Sequence, residues 1–469
     1  MLFHTPFFLF LFLPLLLLTF YGMHSRWRNH ILLGWSFLFY CWGEPRFFPI
    51  AILSALLDYQ LAAWIFKAKS RAQAKSYVSF AIIANLLLLV YFKYMDFLLG
   101  SSNVLLTYFN IPSLPLLHIA LPIGVSFLVF EKITYVVDIY RGKSQPAHSI
   151  KYYLLYIFLF PKLLAGPIVK YHDIAAQLRD HHQSMYNFLC GFKRFLLGLI
   201  KKVLIADTFA EVANQVFSLP GESIGFYQAW LGALCFAFQI YFDFSAYSDM
   251  AIGLARMFGF KLMENFNMPY IATSFTDFWR RWHISLSTWI KEYLYIPLGG
   301  NQVNSFRIYV NLWLCFLLSG LWHGANWNFI LWGMYNGVFL IIDRLCWLRW
   351  SQYVPPLLNV VITFFFIVLG WVIFRVTSLA EMATYFKALF NPWQNGHYIF
   401  ITSNQWTVIA IGLVLCFVPL LSKFDIWLIA CRSSKIAKSL ENWGLVLLSL
   451  FAIAKTMATS FSPFLYFRF

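Results

Sequence analysis

The sequence predicts an all-α protein that crosses a membrane several times. Hydrophobic residues make up 61% of the 469 residues and charged residues only 12%, whereas a soluble domain carries about 25% charged residues. The apolar residues are gathered in continuous runs, many of them close to the roughly 20 residues that a helix needs to span the bilayer core. Composition and run length together indicate a polytopic membrane protein.

Twelve apolar segments are predicted to be helices. In chain order they are Pro6–Tyr21, Ile31–Trp42, Phe47–Phe66, Tyr77–Leu99, Leu117–Asp138, Tyr152–Val169, Ile224–Phe242, Ile308–Leu321, Trp327–Leu345, Leu357–Phe374, Trp406–Leu421 and Trp443–Thr456. The second is too short for a straight span, and the sixth is interrupted by Pro161, Lys162 and the Gly166-Pro167 pair. Such segments are tolerated in a membrane only where protein or a wet cavity surrounds them. We therefore expect re-entrant or half-spanning pieces among the helices.

Basic loops predict the orientation of the helices, because Lys and Arg concentrate on the cytoplasmic side. The loops His24–His30, Lys67–Lys75 and Arg141–Lys151 are basic, whereas Gly100–Leu116 has neither Lys nor Arg. This alternation places the N-terminus outside. The segment Cys190–Lys202 is amphipathic and basic, which favours a helix in the cytoplasmic interface over one that crosses.

Charge and cysteine content exclude several classes of protein. In a membrane protein the net charge of +16 reports orientation and attraction to anionic headgroups, so no nucleic-acid partner is expected. The seven cysteines are scattered without a C-x-x-C pair, which argues against a disulfide framework and against a bound metal. No linker or composition shift divides the chain, so we expect a single domain over residues 1–469.

The region Arg256–Arg307 is polar and charged and contains no clear span. A helix over Phe278–Glu292 would have an apolar face that carries one imidazole: Trp279, His283, Leu286 and Ile290. Its other face would be cationic: Arg280, Ser287 and Lys291. Such a helix is typical of one that lies at a membrane surface over a cavity. The alternative is that the cations only anchor the helix to headgroups, which would not explain a histidine on the apolar face.

The segment Ser319–Asn326 places a second imidazole, that of His323, between two apolar runs. An ionisable group near the bilayer interior is costly and usually marks a functional site. Gly320 and Gly324 are four residues apart, so on a helix they would share one face and let a second helix approach closely. The pattern predicts that His323 lies in a crevice between helices. The alternative is a packing motif whose histidine is hydrogen-bonded across the interface.

Two buried imidazoles suit acyl transfer. A neutral imidazole accepts the proton of a hydroxyl that attacks an acyl carbonyl, and burial favours the neutral form. The sequence has no nucleophile elbow, H-E-x-x-H motif or phosphate-binding loop to compete with this interpretation. Glu131 and Lys132, inside a predicted span, are expected to need separate partners, because adjacent residues do not face each other on a helix. Asp243 and Asp249 either orient a histidine or cap a broken helix.

Eight segments carry a resemblance to a known family. In chain order they are Leu121–Phe127, Tyr135–Gly142, Ala165–Tyr171, Phe242–Ala251, Asn265–Tyr270, Phe278–Ser287, Tyr293–Asn301 and Gly320–Ala325. Together they resemble the membrane-bound O-acyltransferases, in the polysaccharide-acetylating branch to which the alginate O-acetyltransferase membrane subunit belongs. The end of the chain, Phe464–Phe469, is similar to the aromatic end of that family. The Glu131-Lys132 pair departs from it, because a less charged pair is expected there.

The resemblance implies a fold and an activity. The fold would be a ring of about 10–12 transmembrane and re-entrant helices around a thin centre, where a cytoplasmic funnel meets an extracytoplasmic one. The catalytic core would lie in about residues 120–345. The activity would be O-acetylation of an exopolysaccharide such as alginate or cellulose, with His323 as the catalytic histidine and His283 as the second functional histidine.

The same mechanism predicts roles for the residues around the histidines. Acetyl-CoA is the expected acyl donor, and its phosphates would be bound by Arg280, Arg281 and Lys291. The channel would be lined by Trp322, Asn326, Trp279 and Tyr295. No bound cofactor or metal is expected. The expected surroundings are the lipids of a bacterial inner membrane, a periplasmic protein that carries or transfers acetyl groups, and a polysaccharide biosynthesis complex.

Two other functions remain open. One is D-alanyl transfer from a carrier protein to teichoic acid, although the long match over Phe278–Asn301 favours the acetylating branch. The other is a non-enzymatic polysaccharide or lipid transporter, which would tolerate the change His323→Gln.

Overall fold

The computed structural model describes residues 1–164, 166–180, 183–420 and 434–458, and the regular secondary structure in them is helical. In these residues, seven helices are long and apolar enough to cross a membrane: Phe48–Phe66, Arg71–Tyr108, Phe226–Met257, Ser305–His323, Trp327–Trp350, Pro356–Arg375 and Ile436–Ala458. Two further apolar helices, Phe8–Gly22 and Ser403–Phe417, are shorter. The predicted all-α polytopic membrane protein is confirmed, and its arrangement as a ring stays a prediction. The segment Phe464–Phe469 lies outside the described residues.

The chain forms two compact units. The first comprises Met1–Phe192 and Ala251–Met263, and the second comprises Lys193–Met250 and Glu264–Phe469. The single domain over residues 1–469 stays a prediction.

The first unit is built from nine helices among the described residues: α1 Leu13–Gly22, α2 Arg28–Gly43, α3 Phe48–Phe66, α4 Arg71–Leu89, α5 Met95–Tyr108, α6 Val125–Tyr140, α7 Ile150–Phe158, α8 Phe160–Leu163 and α9 Tyr171–Arg179. The predicted interruption of Tyr152–Val169 is confirmed. Helix α7 ends at Phe158, and Pro161 lies in the first turn of α8, where its missing N–H leaves no hydrogen bond unmade.

Two buried ion pairs connect α6 to its neighbours in the first unit. Lys132 Nζ lies 3.2 Å from a carboxylate oxygen of Asp58 on α3, and Glu131 pairs with Lys162 on α8. The expectation that Glu131 and Lys132 have separate partners is therefore confirmed. Asn85 on α4 donates to the same Asp58 carboxylate at 2.9 Å, so these charges are compensated where water does not reach them.

Two helices contribute residues to both units, α10 Met185–Ile200 and α12 Phe226–Met257. The remaining helices belong to the second unit: α11 Asp207–Phe217, α13 Phe275–Arg281, α14 Ile284–Ile290, α15 Ser305–His323, α16 Trp327–Ile342, α17 Leu348–Trp350, α18 Pro356–Arg375, α19 Leu379–Phe390, α20 Ser403–Phe417 and α21 Lys435–Ala458. The short helices α9, α11 and α19 were not predicted, because they are amphipathic and too short to show as apolar runs.

Helix α12 is longer than the predicted Ile224–Phe242, because the acidic side chains of its second half are paired. Asp243 Oδ1 lies 2.7 Å from Lys202 Nζ, and Asp249 Oδ2 lies 2.5 Å from Lys201 Nζ. A capped helix break is wrong, because the helix is continuous through both residues. Asp249 also pairs with Arg194 at 2.6 Å, and a role for either carboxylate in orienting a histidine stays a prediction.

Helices α15 and α16 pack closely in the second unit. A side chain at Gly320 would collide with the carbonyl oxygen of Phe329 and with Gly333 on α16. This close approach of small residues is the packing that the sequence predicts, although it is Gly333 that faces Gly320. Helix α15 itself begins after the N-cap residue Asn304, whose side chain accepts a hydrogen bond from the Arg307 N–H at 2.8 Å.

Candidate active site

The segment between α12 and α15 places His283 at a helix break. The predicted continuous helix Phe278–Glu292 is wrong: α13 ends at Arg281, and α14 begins at Ile284. His283 adopts a left-handed backbone conformation with φ 44° and ψ 54°, which interrupts the helical hydrogen bonds. An L-residue other than Gly rarely adopts this conformation, so it depends on contacts from elsewhere in the chain.

The imidazole of His283 is completely buried. Its Nδ1 lies 3.1 Å from Oδ1 of Asn265, and Phe244 of α12 packs edge-on against the ring with centroids 4.7 Å apart. Burial lowers the pKa of His283 to about 3, because the apolar surroundings disfavour the charged ring. At physiological pH this imidazole is therefore neutral.

His323 is the last residue of α15 and is 8% exposed. Its ring contacts Trp332 of α16 at a centroid distance of 5.1 Å and Phe374 of α18 at 5.4 Å. The predicted crevice between helices is present, but Gly324 does not share a helix face with Gly320. Gly324 is extended, with φ −165°, and a side chain there would collide with the Phe329 ring.

Trp322 is the aromatic neighbour that both imidazoles share. The centroid of its ring system lies 6.1 Å from the centroid of His283 and 5.1 Å from that of His323. The indole is buried. The structure thus brings the two predicted histidines into one aromatic cluster, although they are 40 residues apart by the numbering.

The other predicted channel residues lie at different distances from this cluster. Trp279 is buried and packs on Trp332 with centroids 5.6 Å apart. Asn326 precedes α16, and its carbonyl accepts from the Phe329 N–H at 3.2 Å. Tyr295 donates its hydroxyl to Asn301 at 2.7 Å. Trp279 and Trp322 thus contact the aromatic cluster of the histidines, and a channel lined by all four residues stays a prediction.

A small cavity of about 10 Å³ in the second unit borders Trp332, the indole that packs against His323. It is lined in part by Trp279, Trp332, Asn336 and Trp371. This volume is close to the minimum that one water molecule needs. The cavity next to the Trp332 indole therefore has room for about one water molecule.

The three predicted donor-binding cations have different surroundings. Arg280 and Lys291 are exposed. The guanidinium Nε of Arg281 is half-buried and lies 2.9 Å from the carboxylate of Asp277, one turn earlier on α13. Only Arg280 and Lys291 thus present exposed charge, whereas Arg281 is engaged within its own helix.

Sequence reasoning assigned no role to several residues that contact the histidines. Asn265 begins the segment Asn265–Tyr270 and Phe244 lies in the segment Phe242–Ala251, so the family resemblance marked both positions without giving either a role. Trp332 and Phe374 are aromatic residues among 97 of that type in the chain, so their sequence positions carry no signal. Only the packing of α12, α16 and α18 reveals these contacts.

Comparison with known proteins supports one family. The sequence profile described as MBOAT, membrane-bound O-acyltransferase family, matches residues 37–382. The alginate O-acetylase AlgI of Azotobacter vinelandii is 38% identical over 501 residues, which cover 100% of both chains. The peptidoglycan O-acetyltransferase of Helicobacter pylori is 37% identical over 83% of this chain and 80% of its own. The teichoic acid D-alanyltransferase of Bacillus subtilis is more distant, with 27% identity over 54% of this chain and 68% of its own.

Proposed function

The chain belongs to the membrane-bound O-acyltransferase family, and from this premise we propose that it is an O-acetyltransferase that modifies an exopolysaccharide such as alginate or cellulose. One observation carries the proposal: two buried imidazoles, those of His283 and His323, meet at the indole of Trp322. The similarity to proteins named as acetyltransferases, over most of their length, favours acetyl over D-alanyl transfer.

The proposed reaction moves an acetyl group from a thioester to a hydroxyl. The imidazole of His323 takes the proton of the accepting hydroxyl while the hydroxyl oxygen attacks the acetyl carbonyl. A carbon–oxygen bond forms and the carbon–sulfur bond breaks. The departing thiolate then receives the proton from the imidazolium, so the products are an acetyl ester and a free thiol. General-base catalysis of this kind contributes roughly 10²–10⁴-fold in rate.

His283 is proposed to assist as a neutral group. Its burial and low pKa prevent it from acting as a cation at physiological pH, so it orients a reacting group by hydrogen bonding. The proton transfer itself is assigned to His323, which lies at the end of a membrane-spanning helix.

Acetyl-CoA is proposed as the donor, approaching from the cytoplasm, where the exposed Arg280 and Lys291 attract its phosphates. The acetyl group is proposed to leave on the other side of a bacterial inner membrane, on a periplasmic protein of the polysaccharide biosynthesis complex. The names of the relatives refer to acetylation of alginate and of peptidoglycan, which supports a polysaccharide as the final acceptor.

The proposed function is tested by the acetyl content of the polymer. Cells that lack the chromosomal gene are complemented with the wild type, with His323→Ala or with His397→Ala, an exposed histidine of the second unit. Ester-linked acetate is then measured on the purified exopolysaccharide. We expect acetylation with the wild type and with His397→Ala, and its loss with His323→Ala at equal protein level. Full acetylation with His323→Ala would contradict the assignment.

A further inference from the structure

Asn265 holds the imidazole of His283 through its side-chain carbonyl. Oδ1 of Asn265 lies 3.1 Å from Nδ1 of His283. The same oxygen accepts from the backbone N–H of Ser285 at 3.1 Å and from its hydroxyl at 2.9 Å. Asn265 is 1% exposed, so water does not compete for these bonds and their loss would be costly.

These contacts determine how the Asn265 amide is oriented. The backbone N–H of Ser285 can only donate, so the atom that faces it is the amide oxygen and not the amide nitrogen. A carbonyl oxygen only accepts, so the proton between the two side chains belongs to Nδ1 of His283. In the neutral ring the lone pair then lies on Nε2.

The backbone around Asn265 also supports the strained conformation of His283. The carbonyl oxygen of Asn265 accepts from the N–H of Ile284 at 2.9 Å, and the N–H of Asn267 donates to the carbonyl of Arg281 at 2.9 Å. These bonds fix the chain on both sides of His283. A left-handed non-Gly residue persists only where its surroundings impose it, and this short segment does so.

We propose that Asn265 is a positioning residue for acyl transfer: it fixes the Nδ1–H tautomer and the ring direction of His283, so that Nε2 is the atom presented to the reacting groups. The inference rests on the proposed function, because it requires His283 to take part in transfer. The alternative is a purely structural role, in which Asn265 caps α14. The side chain of the N-cap residue His283 makes no capping hydrogen bond there.

A double-mutant cycle separates positioning from capping. Inverted membrane vesicles that enclose the periplasmic acceptor protein and carry Asn265→Ala, His283→Ala or both are supplied with acetyl-CoA, and the release of CoA thiol is followed. We expect Asn265→Ala to slow release by roughly 10–10²-fold, the cost of a misplaced catalytic group. In the His283→Ala background the same change should have no further effect, because residues that act as one unit are not additive.

The matched control for the cycle is Asn311→Ala. Asn311 is a fully buried amide of α15 that donates to the carbonyl of Leu298 at 3.0 Å, so its removal tests the loss of a buried amide elsewhere in the unit. Asn265→Ala that is no slower than Asn311→Ala would overturn the proposal. An equal loss from Asn265→Ala with and without His283 would do the same.

The variant Asn265→Asp keeps an acceptor oxygen at the same place, which preserves the fold should the alanine variant be unstable. Its carboxylate favours the imidazolium, so the pKa of His283 rises and the neutral ring is lost at a higher pH. The pKa of His283, followed by NMR of the isotope-labelled imidazole, should therefore rise by about one pH unit or more. The nearby pairs Arg281–Asp277 and Lys202–Asp243 are unchanged by this substitution. An unchanged pKa of His283 in folded Asn265→Asp would overturn the proposal, because the contact between the two side chains would then be absent.

The outcome for His283→Ala separates the two hypotheses. A wild-type rate in that variant refutes the part of His283 in transfer, and the positioning role falls with it. A slow His283→Ala together with a fast Asn265→Ala refutes only the positioning role and leaves the proposed function in place.

Discussion

The imidazole of His323 packs edge-on against the indole of Trp332, with ring centroids 5.1 Å apart and ring planes at 89°. Edge-to-face contacts of this kind stabilise one orientation of the ring. Their contribution to the free energy adds to that from the buried apolar area. Trp332 is itself held by Trp371, whose ring stacks on it with centroids 5.9 Å apart. The direction of His323 is therefore determined in part by aromatic packing.

Substitution of Trp332 should lower turnover through this contact. We expect Trp332→Ala to reduce kcat and to destabilise the protein by about 3–5 kcal/mol, the usual cost of removing a buried aromatic side chain. Trp332→Phe should retain more of the kcat and of the stability, because an aromatic ring remains next to His323. Steady-state kinetics with acetyl-CoA and thermal unfolding in detergent measure the two effects. Trp393→Ala, at an exposed indole, serves as the control. A wild-type kcat in Trp332→Ala would show that turnover does not need the contact between Trp332 and His323.

The buried ammonium of Lys202 should matter more for stability than either of its carboxylate partners. It lies 2.7 Å from Asp243 and 2.8 Å from Asp207. Burial alone would lower the pKa of Lys202, but the two carboxylates outweigh burial and raise it. Lys202→Met removes the buried ammonium that both carboxylates share and should cost about 3–5 kcal/mol. Asp243→Asn leaves one ion pair and should cost less.

Thermal unfolding of the purified variants orders these costs. Lys387→Met, at an exposed lysine of α19, controls for the loss of one positive charge and should unfold like the wild type. If Lys202→Met unfolds no earlier than Asp243→Asn, Lys202 is not the centre of this ion-pair group.

In the first unit, the pair Lys132–Asp58 should respond differently to single and double substitution. Each single neutralisation leaves the other charge buried without its ion-pair partner, which typically costs about 3–5 kcal/mol. The double variant Asp58→Asn with Lys132→Met removes both charges and should recover most of that loss. Yield and thermal stability of the folded protein in detergent are the readouts. A double variant that is as unstable as the sum of the single variants would contradict this account.

Substitution of the cations of α13 and of Lys291, the residue after α14, should separate an effect on donor binding from an effect on stability. Arg280→Gln and Lys291→Gln remove exposed charge, so we expect a higher KM for acetyl-CoA at low salt and a smaller difference at high salt. Arg281→Gln breaks the pair with Asp277 and should affect stability more than KM. Unchanged donor KM in the double variant Arg280→Gln with Lys291→Gln would favour anchoring to headgroups.

The sequence predicts those parts of the fold that depend on local pattern. The apolar run before His323 predicts α15, and the Pro161 break predicts the end of α7, because both follow from residues close together in the chain. The break at His283 was missed, since it depends on hydrogen bonds to Asn265, 18 residues earlier by the numbering. The full length of α12 was missed for a similar reason: Asp243 is compatible with a buried helix only because Lys202 lies beside it.

The central claim is that His323 removes the proton of the accepting hydroxyl. The most direct test is the initial rate of CoA release from acetyl-CoA in membranes that carry His323→Ala or the wild type at equal amounts of folded protein. The periplasmic acceptor protein and the polymer are both present. We expect the variant to be slower by roughly 10²–10⁴-fold while it remains folded in the membrane. A rate equal to that of the wild type would contradict the claim.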